Sequence, residues 1–89
     1  PAAEKEEEVA SKIWITTDKN CIVFHGLEEI LHSVPVRLFD LKGQNILSEL
    51  VDQQHSVIET DLPEGIYILV LYDNLRPWSR KVHLENKYY

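Results

Sequence analysis

The most constraining feature of this chain is its punctuation: short runs of β-branched, aliphatic and aromatic residues, each halted by Gly, Pro, Asn or Asp before a helical period can build. Seven such runs can be marked out: Lys12 to Thr17, Cys21 to His25, Val34 to Asp40, Asn45 to Val51, Ser56 to Thr60, Ile66 to Asp73 and Trp78 to Leu84. Strand-forming runs that begin roughly every 8 to 12 residues are the pattern of a sandwich or barrel rather than of alternating strands and helices. The acidic start and Leu27 to His32 hold no more than a single helical turn each. The expectation is therefore an all-β domain, a single Ig-like antiparallel β-sandwich of about seven strands. Leu27 to Ser33 serves as the longer connection that crosses between sheets.

Alternation assigns faces, because successive side chains of a strand point to opposite sides. Ile13 and Ile15 oppose Trp14, Val36 and Leu38 oppose Arg37 and Phe39, and Val57 opposes Ile58. The sixth run is apolar on both sides: Tyr67, Leu69 and Leu71 on one, Ile68, Val70 and Tyr72 on the other. A sandwich covers only one face of each sheet with its partner sheet, so the second face needs a loop, the terminal tyrosines Tyr88 and Tyr89, or another protein, and self-association through it is one outcome. The expected core contains Ile13, Ile15, Val36, Leu38, Leu62, Tyr67, Leu69 and Val82.

The chain has 89 residues and a net charge of −6, half of it in Pro1 to Glu8, where four Glu face one Lys. Residues 1–11 read as an acidic flexible linker, 12–84 as the sandwich and 85–89 as a C-terminal tail. The charge argues against nucleic acid as a partner, since tracking phosphates takes clustered Lys and Arg. No apolar stretch approaches the roughly 18 residues of a membrane span, so no membrane insertion is expected. The start reads as that of a mature protein or an excised C-terminal fragment.

No chemistry-bearing cluster emerges. His25, His32, His55 and His83 are never spaced as H-x-H or H-x-x-x-H, and none is expected to pair with a carboxylate three or four residues away. They read as surface or edge residues, with no metal site. Ser33, Ser48, Ser56 and Ser79 have no G-x-S-x-G setting, and Cys21, the single cysteine, reads as a small buried hydrophobe without a disulfide partner in the domain. The expectation is a protein that is not an enzyme and needs no cofactor. Trp78 and Arg80 share a face of the last strand, where guanidinium and indole can stack.

Three strings remain. In VRLFDLKGQNI (Val36 to Ile46), Asp40 and Gly43 fit positions i and i+3 of a type I turn, where a carboxylate caps the backbone and glycine takes positive φ. In LPEGIYILVL (Leu62 to Leu71), Pro63 and Gly65 suggest a second tight turn, with Gly65 again at positive φ. In RKVHL (Arg80 to Leu84), positive charge alternates with apolar residues, a pattern that guards a sheet edge or adds to one.

In this order the strings resemble the C-terminal sorting domain (type A) of cargo exported by the type IX secretion system of Bacteroidetes. The matching residues are Val36, Leu38, Phe39, Asp40, Leu41 and Gly43, then Leu62, Gly65, Tyr67 and Leu69, then Lys81 and Val82. The resemblance implies a folded, non-catalytic signal that directs a cargo joined N-terminal to it across the outer membrane, via the periplasm, to the cell surface. It implies an outer-membrane translocon and a sortase-like peptidase as partners, and recognition through Asp40, Gly43, Gly65, Tyr67, Arg80, Lys81 and Val82. Gln44 stands where the family often has Arg or Lys, and Glu85 to Tyr89 extend past the terminal basic strand. The alternative is a retained Ig-like structural or adhesive module of a larger surface protein.

Overall fold

The computed structural model describes residues 13–30, 32–73 and 76–85, and within them seven strands form two antiparallel sheets. The strands are β1 (Trp14–Asp18), β2 (Cys21–His25), β3 (Val34–Phe39), β4 (Asn45–Val51), β5 (Val57–Glu59), β6 (Gly65–Asp73) and β7 (Arg76–Leu84). One sheet has the order β1-β2-β5 and the other β4-β3-β6-β7, so the expected Ig-like β-sandwich is what forms. Hairpins join β1 to β2, β3 to β4 and β6 to β7 within a sheet, while the three remaining connections cross between sheets. Relative to the constant-type Ig arrangement, the fourth strand stays beside the third in the larger sheet rather than joining the fifth. The expected linker at 1–11 and the tail residues 86–89, with Tyr88 and Tyr89, lie outside the described residues.

The core follows the alternation. Val34, Val36 and Leu38 of β3 and Leu69 and Leu71 of β6 are fully buried, and Tyr67, Val82 and Leu84 continue the same face. Opposite them stand Ile22, Phe24 and Ile58 of the smaller sheet and Ile13 just before β1, with Leu27 closing one end. Leu27–Glu29 is a single turn of 3-10 helix entered through Gly26 at φ 83°, and it carries the chain from one sheet to the other as expected.

Three expectations need correction. Ile15 and Leu62 are only partly buried against the core, Ile15 because it lies on the edge strand β1 and Leu62 because it lies in the β5–β6 crossing outside both sheets. Cys21 is half-buried rather than interior: it pairs with Glu59 and shares the outward side of β2 with Val23 and His25, while Ile22 and Phe24 point in. Gly65 is the first residue of β6 and is not among the positive-φ glycines, which are Gly26 and Gly43. The Leu62 to Gly65 segment is accordingly a bend rather than the hydrogen-bonded turn that Pro63 and Gly65 suggested.

One polar device holds the start of the β5–β6 crossing, and another guards a sheet edge. Asn20 is buried at the tip of the β1–β2 hairpin, and its side-chain amide donates to the Thr60 carbonyl. Thr60 returns both its hydroxyl (3.0 Å) and its backbone N–H (3.1 Å) to the Asn20 carbonyl. Burying these groups is tolerable because they satisfy one another. The edge strand β4 carries a bulge between Leu38 and Phe39 of its partner, and it places Glu49 across from buried Val36. A carboxylate on the inward side of an edge opposes edge-to-edge pairing with another sheet.

Candidate functional site

The residues that the resemblance singles out for recognition lie in β6, in β7 or in the β3–β4 hairpin, all belonging to the four-stranded sheet and its loops. The β3–β4 hairpin turns at Asp40 to Gln44: the Gly43 N–H donates to the Asp40 carbonyl (3.0 Å) and the Asp40 N–H to the Gln44 carbonyl (3.0 Å). Gly43 has φ 91°, with open space around the position a side chain would take. This is a type I turn closed by a left-handed residue, the usual three-residue hairpin loop. Asp40 Oδ1 accepts the N–H groups of Lys42 and Gln44, both at 2.9 Å, so the carboxylate holds the loop from inside.

Tyr67 does something the sequence reading did not anticipate. Its ring is buried near the start of β6, and its hydroxyl donates to the Pro63 carbonyl at 2.6 Å. An Ig-type sandwich often fixes the entry to its sixth strand in this way, by a tyrosine bonded back to the corner a few residues upstream. The offset of four residues between Pro63 and Tyr67 was the available signal.

Register brings these pieces side by side. Phe39 faces Ile68, which faces Lys81; Leu38 faces Leu69, which faces Arg80; Tyr67 faces Val82 and Gly65 faces Leu84. Asp40, Gly43, Gly65, Tyr67, Arg80, Lys81 and Val82 therefore gather toward one end of the sheet. They do not form one surface. Val82 (4% exposed) and Tyr67 (8%) point into the core, whereas Arg80 and Lys81 are exposed on opposite sides of β7. The Arg80 guanidinium lies 5.1 Å from the Trp78 ring centre, as the shared face of that strand suggested.

The smaller sheet presents a different outer face. Trp14, 52% exposed, stacks on His25 with ring centres 4.0 Å apart and planes 14° from parallel, and Thr16 Oγ1 lies 2.9 Å from His25 Nε2. Asp18 and Glu59 share this side of the sheet with them.

A shallow cavity of about 350 Å³ lies at the opposite end of the sandwich from Gly43, lined by Ile30, His32, Ser33, Asp52, Gln53 and Gln54. Gln53 closes one wall by donating to the carbonyls of Glu28 (2.7 Å) and Ile30 (3.3 Å). Beside it, His55 Nδ1 stands 3.1 Å from Asp52 Oδ1, which corrects the expectation that no histidine pairs with a carboxylate three or four residues away: a turn, not a helix, brings the two together. Partial desolvation pushes the Asp52 carboxyl up, but the His55 ring hydrogen bond, the N–H groups of Gln54 and His55 and the His55 charge outweigh it. The net effect holds the carboxyl below its ordinary value. The order Ser33–Asp52–His55 puts the carboxylate between hydroxyl and imidazole, so it activates no nucleophile. Among the described residues no group of three His, Cys, Asp or Glu side chains converges to hold a metal ion, and no helix is long and apolar enough to cross a membrane.

No protein-family model matches the chain, and no curated protein matches it.

Proposed function

We propose that this chain is a non-catalytic sorting domain of the type IX kind, which carries an N-terminally attached cargo across an outer membrane to the cell surface. One observation carries the reading: the three strings that resemble the family occupy β3 with its hairpin, β6 and β7, which are contiguous strands of a single sheet. Asp40, Gly43 and Tyr67 shape that sheet through turn and corner hydrogen bonds. Arg80 and Lys81 are exposed and remain for a translocon to read. A sortase-like peptidase is the expected downstream partner.

The test fuses residues 1–89 behind a periplasmic reporter in a Bacteroidetes host and compares it with Arg80→Gln/Lys81→Gln. Exposed charge changes rarely move stability by more than about 0.5 kcal/mol, so the double variant is expected to fold and to be exported less. A wild-type fusion that stays in the periplasm would sink the sorting reading in favour of a retained structural module. Wild-type export of the double variant would reduce the two charges to edge guards.

A further inference from the structure

The four-stranded sheet has a second face, turned away from the sandwich interior. The smaller sheet packs on the other side, and the Leu27–Glu29 turn is held by Gln53 at the end of the molecule rather than over this face. Along it run Ile66, Ile68, Val70 and Tyr72 of β6, flanked by Phe39 of β3 and Leu50 of β4. Leu50 is 61% exposed and Ile66 39%. Register adds Arg37 beside Val70, Lys81 beside Ile68 and His83 beside Ile66. The Arg37 guanidinium lies 5.6 Å from the Tyr72 ring centre, so one cation sits over the apolar strip itself. Among the described strand residues of this face there is no carboxylate; Asp40, Asp52, Glu64 and Glu85 lie just beyond the strand ends. In a chain of net charge −6, a face that is apolar and solely basic is a local reversal of sign.

We infer that this face docks a protein partner that presents aliphatic side chains interspersed with carboxylates. The aliphatic groups cover the β6 strip and the carboxylates meet Arg37 and Lys81, which gives the contact both area and sign. A second copy is the poorer occupant, because a two-fold contact through this face sets its own cations against each other and joins two chains that each carry −6. An anionic bilayer is poorer too, since two permanent cations cannot offset that net charge at its surface. The inference stands on the composition of the face and is independent of whether the domain is a sorting signal.

The probe is a capped 12-residue peptide alternating Glu and Leu, titrated into the isotope-labelled full chain and followed by amide NMR shifts, with a Lys–Leu peptide as control. Shifts are expected at Arg37, Ile68, Val70 and Lys81, weakening with salt, and Arg37→Glu/Lys81→Glu is expected to lower affinity at least tenfold. Arg37→Gln/Lys81→Gln, with thermal unfolding alongside, supplies the milder variant: it is expected to bind more weakly with a shallower salt dependence while unfolding as wild type does. Shifts centred on Thr16, Val23 and Glu59, equal binding of the Lys–Leu peptide, or undiminished binding by the charge variants would each overturn the inference. So would a tenfold gain in peptide affinity on deleting residues 1–12, which would make the chain's own acidic segment the occupant. A dimer dissolved by Val70→Arg in sedimentation, or co-sedimentation with phosphatidylserine vesicles without peptide binding, would replace the partner by a second copy or by a membrane.

Discussion

The Asp40–Gln44 hairpin and the Leu62–Tyr67 corner look alike in sequence, each setting a glycine beside an apolar strand, yet they keep their shapes by different means. In the hairpin the backbone itself demands glycine: Gly43 sits at φ 91°, and the Asp40 carboxylate bridges the loop. In the corner the backbone at Gly65 is ordinary strand, and the constraint is a side chain, the Tyr67 hydroxyl on the Pro63 carbonyl. A glycine in a motif is thus no single kind of evidence. One of these two is required by conformation, and the other has room for a methyl group 3.8 Å from the Tyr67 ring.

The largest effect that could break this contrast lies in the corner. Tyr67→Phe keeps the buried ring and deletes only the hydroxyl, which leaves the Pro63 carbonyl without that donor; a loss of about 1–3 kcal/mol in denaturant unfolding is expected. A loss below a few tenths of a kcal/mol would show that the ring alone holds the corner. Next comes Gly43→Ala, which forces a Cβ into the left-handed region and should cost about 1–2 kcal/mol with no clash to relieve. Gly65→Ala should be neutral or stabilising by up to about 1 kcal/mol, because the strand geometry is compatible and the unfolded chain loses freedom. That variant also sharpens the functional reading: unchanged stability with lost export would make Gly65 a contact for the translocon.

The smallest effect concerns a third turn, at Asp52, which resembles the hairpin in having one carboxylate oxygen accept two backbone N–H groups, those of Gln54 (2.9 Å) and His55 (2.8 Å). Here the folded-state carboxyl titrates below its unfolded value. Its contribution is present above the unfolded carboxylate range and is lost as pH falls through the depressed folded value. Asp52→Asn should therefore lower the melting temperature slightly at neutral pH and erase that difference in acid. A gap that persists undiminished at the acid end would assign the effect to the lost acceptor rather than to charge.

The legible and the hidden parts of this fold divide by physical cause. Strand number and spacing are readable because every run has a hard stop, and the inward face of β3 is readable because alternation of Val36, Arg37 and Leu38 leaves one choice. In β2 the run Cys21 to Phe24 is continuous, so period alone cannot say which set points inward, and the structure buries Ile22 and Phe24 instead of Cys21. Buried Asn20 and Thr60 were invisible for a related reason: a polar residue at a turn looks solvated until its partner forty positions away is known. The gathering of Asp40, Gly65 and Lys81 toward one end of a sheet depends on register, which no local pattern encodes. The sign reversal on the outer face of that sheet was hidden for the same reason, since Arg37 and Lys81 become neighbours only through Val70 and Ile68 of the strand between them.

The Glu85 N–H reaches the Lys19 carbonyl at 2.8 Å, which ties the residue just past β7 to the turn just past β1. Both strands thus finish at the same pole, and Ile13, six residues before Lys19, stands on the order of 20 Å back along β1 by strand rise. The chain enters the sandwich at one pole and leaves it at the other. Tension between entry and exit would load β1 and β7 lengthwise, so that each ladder must slip as a row rather than open one bond at a time. Under such a load the two ends of the sandwich would stand a strand's length apart, with the ladders of β1 and β7 bearing the force between them.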